Sequence, residues 1–450
     1  MKTRIGMLLT VAAVSVAQPV MAGNLLEIYQ QALASDPQLK AAKAVYNADS
    51  EASTQSRSAL LPNIALSAYS QYTELDPVVV NEGNSNGYQL SLTQPLFRAE
   101  EWFDFQAGKA QEERAALEFS RSQQQLVRRT VETYLDVLQA QTGFITSKTV
   151  EAAFKRQLDQ VQAQFDVGLI AITDVEEARA GYDSARVSRI LARGQLDKSY
   201  EAIDRLTGQN WTQLDELSIK FPVAGMQPAD FQPWVDKALI GNLSLQLADL
   251  DVDNAEEGRK ARRSRHLPTL DLVAGYGSDR GLSSQNLSGE QDTSFVGVNF
   301  NWPLYQGGGD SSRVRQTEAQ LDAAMQLRED TRRGVVQSSR SFFRDLLTDV
   351  ESVAARKQSI VSNETAFEAI SAGYSVGTRN IVDVLQAERG LYTAIQDYQN
   401  ARYTYIRNLL QFEESLGTLS PEDVEQLDQW LVEPGSEEPI FERKKSNNQG

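Results

Sequence analysis

Phe165-Asp166-Val167-Gly168-Leu169-Ile170-Ala171-Ile172-Thr173-Asp174-Val175 returns 209 residues later as Tyr374-Ser375-Val376-Gly377-Thr378-Arg379-Asn380-Ile381-Val382-Asp383-Val384. Gly168 answers Gly377, and Asp174 answers Asp383. The same shift carries Tyr134-Leu135-Asp136-Val137-Leu138 onto Phe343-Arg344-Asp345-Leu346-Leu347 and Gly208 onto Gly417. Nearer the N-terminus the offset drifts: Leu61-Pro62-Asn63-Ile64 answers Leu267-Pro268-Thr269-Leu270, and Pro95-Leu96-Phe97 answers Pro303-Leu304-Tyr305. A repeat of about 200 residues is far longer than a solenoid unit, so the chain is two copies of one structural half.

From Glu100 to about Phe165 there is no proline and few glycines, and Ala, Gln, Glu, Arg and Leu dominate. That predicts one helix about 100 Å long. Its apolar residues recur at three- and four-residue spacings, so the rod needs partner helices. Thr173 to Leu206 reads as a second helix, with Thr173 and Glu176 as a capping box and a stop near Gly208. The second half repeats the plan with a helix from about Asp310 to Tyr374, a break at 377–380 and a helix from Ile381 to Leu416. Each half also opens with a helix, Leu25 to Ala59 and Trp234 to Arg265.

Between the first two helices of each half the period changes from 3.6 to 2. Ile64, Leu66, Ala68, Leu90 and Leu92 alternate with polar or small residues, as do Leu270, Leu272, Ala274, Val296, Val298, Phe300 and Trp302. Four strands of about ten residues are expected. Alternation alone also fits a soluble antiparallel sheet. Three features favour a membrane wall with a wet interior. Glycine-rich polar loops are expected at the tips, Asn81 to Gly87 and Gly277 to Gly289. Aromatics gather toward strand ends. A signal peptide, residues 1–22, is expected from Lys2 and Arg4 ahead of the apolar run Ile5 to Val16, yet no later apolar run reaches 18 residues. Four strands leave open edges, so closure requires oligomerisation, and three copies would supply twelve strands.

The chain has no cysteine, which excludes disulfides, thiolate metal sites and a lipidated N-terminal cysteine. Its charge of −17 becomes about −19 without Lys2 and Arg4, which argues against a nucleic-acid partner. The one histidine, His266, sits among Arg262, Arg263 and Arg265, and no catalytic set can be built around it. No enzyme, cofactor or metal site is expected.

The chain resembles the TolC-type outer-membrane efflux proteins of Gram-negative bacteria, from Asn24-Leu25-Leu26-Glu27-Ile28-Tyr29 to about Leu419. Val167-Gly168-Leu169-Ile170-Ala171-Ile172-Thr173-Asp174-Val175 and Gly373-Tyr374-Ser375-Val376-Gly377-Thr378-Arg379-Asn380-Ile381-Val382-Asp383-Val384-Leu385 are similar to that subgroup's two helix-tip signatures. The resemblance implies a mixed α/β membrane protein: a homotrimeric 12-stranded barrel, four strands per protomer, continuous with a long α-helical coiled-coil periplasmic tunnel. It implies a passive exit duct for multidrug efflux and type I secretion, joined by a periplasmic adaptor (membrane fusion) protein to an inner-membrane RND, ABC or MFS pump.

The division expected is a signal peptide 1–22, a first repeat 23–207 with its hairpin at 63–97, and an equatorial linker 208–232. A second repeat 233–419 follows, with its hairpin at 268–305, then a C-terminal segment 420–450, disordered beyond about 433. The resemblance further implies gate links of Asp174 with Tyr374 and Thr173 with Arg379, a luminal ring of Asp383, and adaptor contacts at Gly168, Leu169, Gly377 and Thr378. On residue types alone, Thr173 and Asp174 read as helix caps and Arg379 as a solvated loop cation, while the glycines fit turn formers equally well. The subgroup often has a second aspartate three residues after the ring, where this chain has Gln386. The reading from another class is a secreted, non-conducting coiled-coil scaffold or adhesin stalk.

Overall fold

A computed structural model describes residues 21–73, 83–281 and 289–436. The expected signal peptide, up to residue 20, and the tail beyond residue 436 lie outside the described residues. The first half runs β1 (Met21–Gly23), α1 (Leu25–Ser35), α2 (Pro37–Asp49), α3 (Ala52–Ser58), β2 (Asn63–Thr73), β3 (Gly83–Phe97), α4 (Ala99–Asp166), α5 (Ile172–Thr207) and β4 (Trp211–Leu214). After β5 (Glu216–Leu217) come α6 (Gln232–Gly241), α7 (Leu243–Ser264), β6 (Thr269–Gly281), β7 (Gly289–Asn301), α8 (Gly309–Ser375), α9 (Ile381–Leu416), α10 (Pro421–Asp428) and β8 (Leu431–Val432).

The duplication is physical. α5 and α9 start at 172 and 381 and end at 207 and 416, each pair 209 apart, while β2 and β6 start 206 apart. α4 and α8 are unbroken over 68 and 67 residues because neither contains a proline.

The opening helices are not continuous. Asp36 ends α1 and caps α2, accepting from the Leu39 amide at 3.1 Å with Pro37 in the first turn, and a second break falls at Ser50-Glu51. In the second half Asn242 separates α6 from α7 and accepts from the Leu245 amide at 3.1 Å. Asp36 and Asn242 are themselves 206 apart, so the break belongs to the repeat. Its Asp-Pro signal was present in the sequence.

β3 pairs with β6, which merges the two hairpins into one antiparallel sheet of order β2-β3-β6-β7. The strands are 11, 15, 13 and 13 residues long, longer than expected. Backbone pairing does not require apolar side chains, so the ladders run on through the polar residues at 83–87 and 277–281. Of the expected tip loops, 81–82 and 282–288 lie outside the described residues.

Direct cross-strand partners share a face. Ile64, Leu92, Ala274 and Val296 form one row, and Leu66, Leu90 and Tyr276 the next. The opposite face carries Asn63 beside Thr93, Ser67 beside Gln89 and Asp271 beside Asn299. On the apolar face Leu66 is 72% and Val296 78% exposed. A contiguous apolar face so open to the surroundings needs a non-aqueous neighbour.

The larger core lies where the first helices and the chain's end meet the long rods, with Ile28, Leu126, Tyr134, Leu135, Ile203, Trp211, Phe343 and Phe412 at its centre. Here 208–232 and the C-terminal segment dock on each other: β5 pairs with β8, and the Ser218 amide donates to Trp430 O at 2.9 Å. A second core runs down the coiled coils through Phe154, Val161, Val175, Ile360, Val384 and Leu385. A Cβ on Gly181 would meet Phe154 at 3.0 Å and Leu385 at 3.4 Å, so α4, α5 and α9 converge there.

Gly208 and Gly417 terminate equivalent helices at φ +70° and +73°. Only Gly417 is crowded as well, since a Cβ there would run into the Gly241 carbonyl, whereas Gly208 has open space. Gly208→Ala is therefore expected to cost about 1 kcal/mol from the left-handed backbone alone. Gly417→Ala should cost about 3 kcal/mol or more, because overpacking adds to the same strain. Equal shifts in thermal unfolding would refute the crowding.

Glu413, on the last turn of α9, faces Asp423 of α10 and Lys237 of α6. Burial first, then the Asp423 charge, pushes its carboxyl up to about 7, with Lys237 opposing. An acid whose pKa is raised on folding holds its proton more tightly in the native state. Its contribution to stability is complete below the unfolded value near 4.5 and is lost as pH rises toward 7. Glu413→Gln should thus melt above the parent at pH 8 and level with it at pH 5; a gap independent of pH would exclude Glu413 as the titrating group.

Candidate functional site at the helix tips

Both long rods end in the same backbone motif. The Gly168 amide donates to Phe165 O at 2.8 Å and the Leu169 amide to Gln164 O at 2.9 Å. At the second tip the Gly377 amide donates to Tyr374 O at 3.0 Å and the Thr378 amide to Gly373 O at 2.9 Å. These are Schellman turns, which need a residue at positive φ. Gly168 and Gly377 supply it at +79° and +77°, and nothing lies within 4 Å of where a Cβ would point. The glycines therefore satisfy the turn and also leave bare backbone at the surface.

The restarting helices differ. At the first tip α5 begins at Ile172 after Ala171, which has no side chain to cap with, so the expected Thr173–Glu176 capping box is not formed. Thr173 already lies inside the first turn, where a hydroxyl cannot reach its own helix's opening amides. The equivalent of Ala171 is Asn380, and it does cap: Asn380 Oδ1 accepts from the Asp383 amide at 2.8 Å while Asp383 Oδ2 accepts from the Asn380 amide at 3.5 Å.

Asp383 thus has two partners inside its own chain. Besides closing the capping box, it faces Arg379 at 3.8 Å, with the two side chains 34% and 58% exposed. The stem of Arg379 lies over Gly373, where a Cβ would meet Arg379 Cγ at 2.9 Å. Thr378 Oγ1 donates to Gly373 O at 2.9 Å, which fixes the same turn.

The tips are joined by a bond that sequence reasoning missed. Tyr374 Oη donates to Gln164 Oε1 at 3.2 Å. Gln164 occupies the repeat position of Gly373, so the first copy offers an amide where the second offers space. Asp174, half-buried on α5, lies near Tyr374; burial first and the Asp174 charge second raise the Tyr374 hydroxyl above its usual pKa. Within one chain, then, Asp174 and Tyr374 are brought together electrostatically, while Arg379 is engaged by Asp383. Thr173, Leu169 and Thr378 stand exposed around them.

The family model described as outer membrane efflux protein matches this chain twice, over residues 28–209 and 234–418. The outer membrane protein TolC of Vibrio cholerae is 36% identical over 427 residues, covering 94% of this chain and 97% of its own. The protein of the same name from Escherichia coli K12 is 37% identical over 434 residues, covering 93% and 87%. In three dimensions the chain matches CusC with a TM-score of 0.79 at 14% identity, covering 88% of this chain and 93% of that one. The Campylobacter jejuni CmeC outer membrane channel matches with a TM-score of 0.76 at 17% identity, covering 91% and 90%. The two family matches fall on the two structural repeats, with the tip turns inside them, and the chain belongs to the TolC-type outer membrane efflux protein family.

Proposed function

We propose that three copies of this chain close into one outer-membrane exit duct for efflux and type I secretion. The observation that carries this reading is the sheet β2-β3-β6-β7, dry on one face, wet on the other and unpaired along β2 and β7. Unpaired edges cannot persist in a bilayer, because no water satisfies them. Pairing β7 of one copy with β2 of the next removes every edge, and three copies of four strands give twelve. The rods α4 and α8 then continue the wall as a tunnel about 100 Å long.

Both kinds of traffic are represented among the relatives. The alkaline protease secretion protein AprF of Pseudomonas aeruginosa is 27% identical over 413 residues, and the toluene efflux pump outer membrane protein TtgF of Pseudomonas putida 23% over 387. Energy would come from an inner-membrane RND, ABC or MFS pump, coupled through a periplasmic adaptor seated on the tips. Leu169 and Val376 are 74% and 73% exposed there, beside the bare glycine backbones, which suits a surface awaiting an apolar partner. The links among Thr173, Asp174, Tyr374 and Arg379 would hold the tip end shut, and Asp383 would ring its lumen.

Native mass measurement of the purified protein, with planar-bilayer recording, tests the assembly. A trimer with discrete conductance steps is expected. A monomer without conductance would return the chain to the stalk reading.

A further inference from the structure

The end of α7 and the residues after it read Arg259-Lys260-Ala261-Arg262-Arg263-Ser264-Arg265-His266, the densest run of cations in a chain of net charge −17. Three of its five Lys and Arg are neutralised internally. Lys260 reaches Glu257 at 2.7 Å, Arg262 pairs with Glu100, and Arg265 lies 3.1 Å from Glu100 and 3.9 Å from Asp310. Arg259, Arg263 and His266 are different. They recur at four- and three-residue spacing along one stripe, and no acidic partner faces them among the described residues. Arg263 and His266 are exposed, while Arg259 is half-buried, its Nε enclosed and without a hydrogen-bond partner among the described residues.

Two features fix where the stripe looks. The flanks of α7 are held by its own chain: Asp251 pairs with Arg114 of α4 at 2.8 Å, and Asp249 pairs with Arg328 of α8. At about 100° per residue, Arg259 falls roughly midway between those flanks, so the stripe is turned away from both. Trp302 continues the apolar alternation of Val296, Val298 and Phe300, and its indole donates to His266 O at 3.2 Å. Leu267, Leu304 and Tyr305 are exposed at the same level. Unpaired cations and open hydrocarbon therefore meet at the foot of β6 and β7.

We infer that this stripe is a binding site for the headgroup of an anionic phospholipid in the periplasmic leaflet, its acyl chains lying on the apolar face of the sheet. This rests on the reading of the sheet as a membrane wall. A ligand that offers negative charge and hydrocarbon together matches both halves of the surface, which an acidic protein would not. Basic residues bordering a hydrocarbon layer gain from anionic headgroups, and an aromatic belt fixes their depth.

The test is native mass spectrometry of the full-length protein in detergent, titrated with phosphatidylglycerol and phosphatidylethanolamine in parallel. The parent should bind phosphatidylglycerol preferentially, and Arg259→Gln/Arg263→Gln should bind it about tenfold more weakly while melting and conducting like the parent. Added salt should weaken the preference. An undiminished preference in the double variant, or none in a conducting parent, overturns the site and leaves the duct standing. Altered ion selectivity in phosphatidylethanolamine bilayers with lipid preference intact would place the stripe in the lumen and overturn it too. A parent that does not conduct removes the membrane wall and this site with it.

Discussion

Alanine in place of Asp174 or Arg379 is expected to raise the open probability of the duct in planar bilayers. Each link is partly exposed, so a single one is worth about 1 kcal/mol or less. Opening of a symmetric trimer breaks three copies at once, and about 2–3 kcal/mol shifts a two-state equilibrium roughly thirty- to 150-fold. Unchanged conductance in both variants would remove the latch. The Tyr374–Gln164 bond adds a sharper check. Tyr374→Phe and Gln164→Ala delete the same hydrogen bond, so the double variant should open no further than either single one. Additive effects would show that Tyr374 is held by another group in the trimer.

The second large effect concerns ions. Three Asp383 carboxylates about 8 Å apart would repel by about 0.5 kcal/mol per pair in water and about 2 kcal/mol at an effective dielectric of 20, a tolerable ring that favours cations. Gln386 stands exposed on the next turn of α9. Gln386→Asp adds a second ring, and block by a trivalent cation should tighten about tenfold or more. Arg379→Ala should act in the same direction, because the guanidinium that screens Asp383 at 3.8 Å is lost. Asp383→Asn should abolish block. Equal block in the parent and Gln386→Asp would count against a luminal Asp383. On the proposed reading latch and ring are coupled, because an Arg379 that held the entrance shut would, on leaving Asp383, also unmask the charge of that carboxylate.

Much of this was written in short stretches of sequence. Proline-free runs gave unbroken rods of 68 and 67 residues because helix continuity is decided within one turn. Gly168 and Gly377 marked the tips because a Schellman turn needs one residue at positive φ. The alternation at 63–97 and 269–301 assigned each strand its wet and dry faces, since side chains in a strand point to opposite sides. The break at Asp36-Pro37 is equally local, although helical composition on both sides masks it.

Partner choice was not local. That β3 takes β6 as its neighbour joins residues nearly 200 positions apart, and hairpin periodicity is silent about which edge meets which. Tyr374 could have bonded any acceptor that the first tip presents. Only the assembled tips bring Gln164, at the end of α4, within 3.2 Å of Tyr374, at the end of α8. The partners of Asp383 are local by contrast, since Asn380 and Arg379 lie three and four residues before it. The sequence by itself determined the repeat, the rods, the turns and the strand faces, because each follows from dihedral limits and periodicity over a few residues. Tertiary structure alone decided the single sheet and the Gln164–Tyr374 link, because hydrogen bonds reward proximity that only the assembled chain creates.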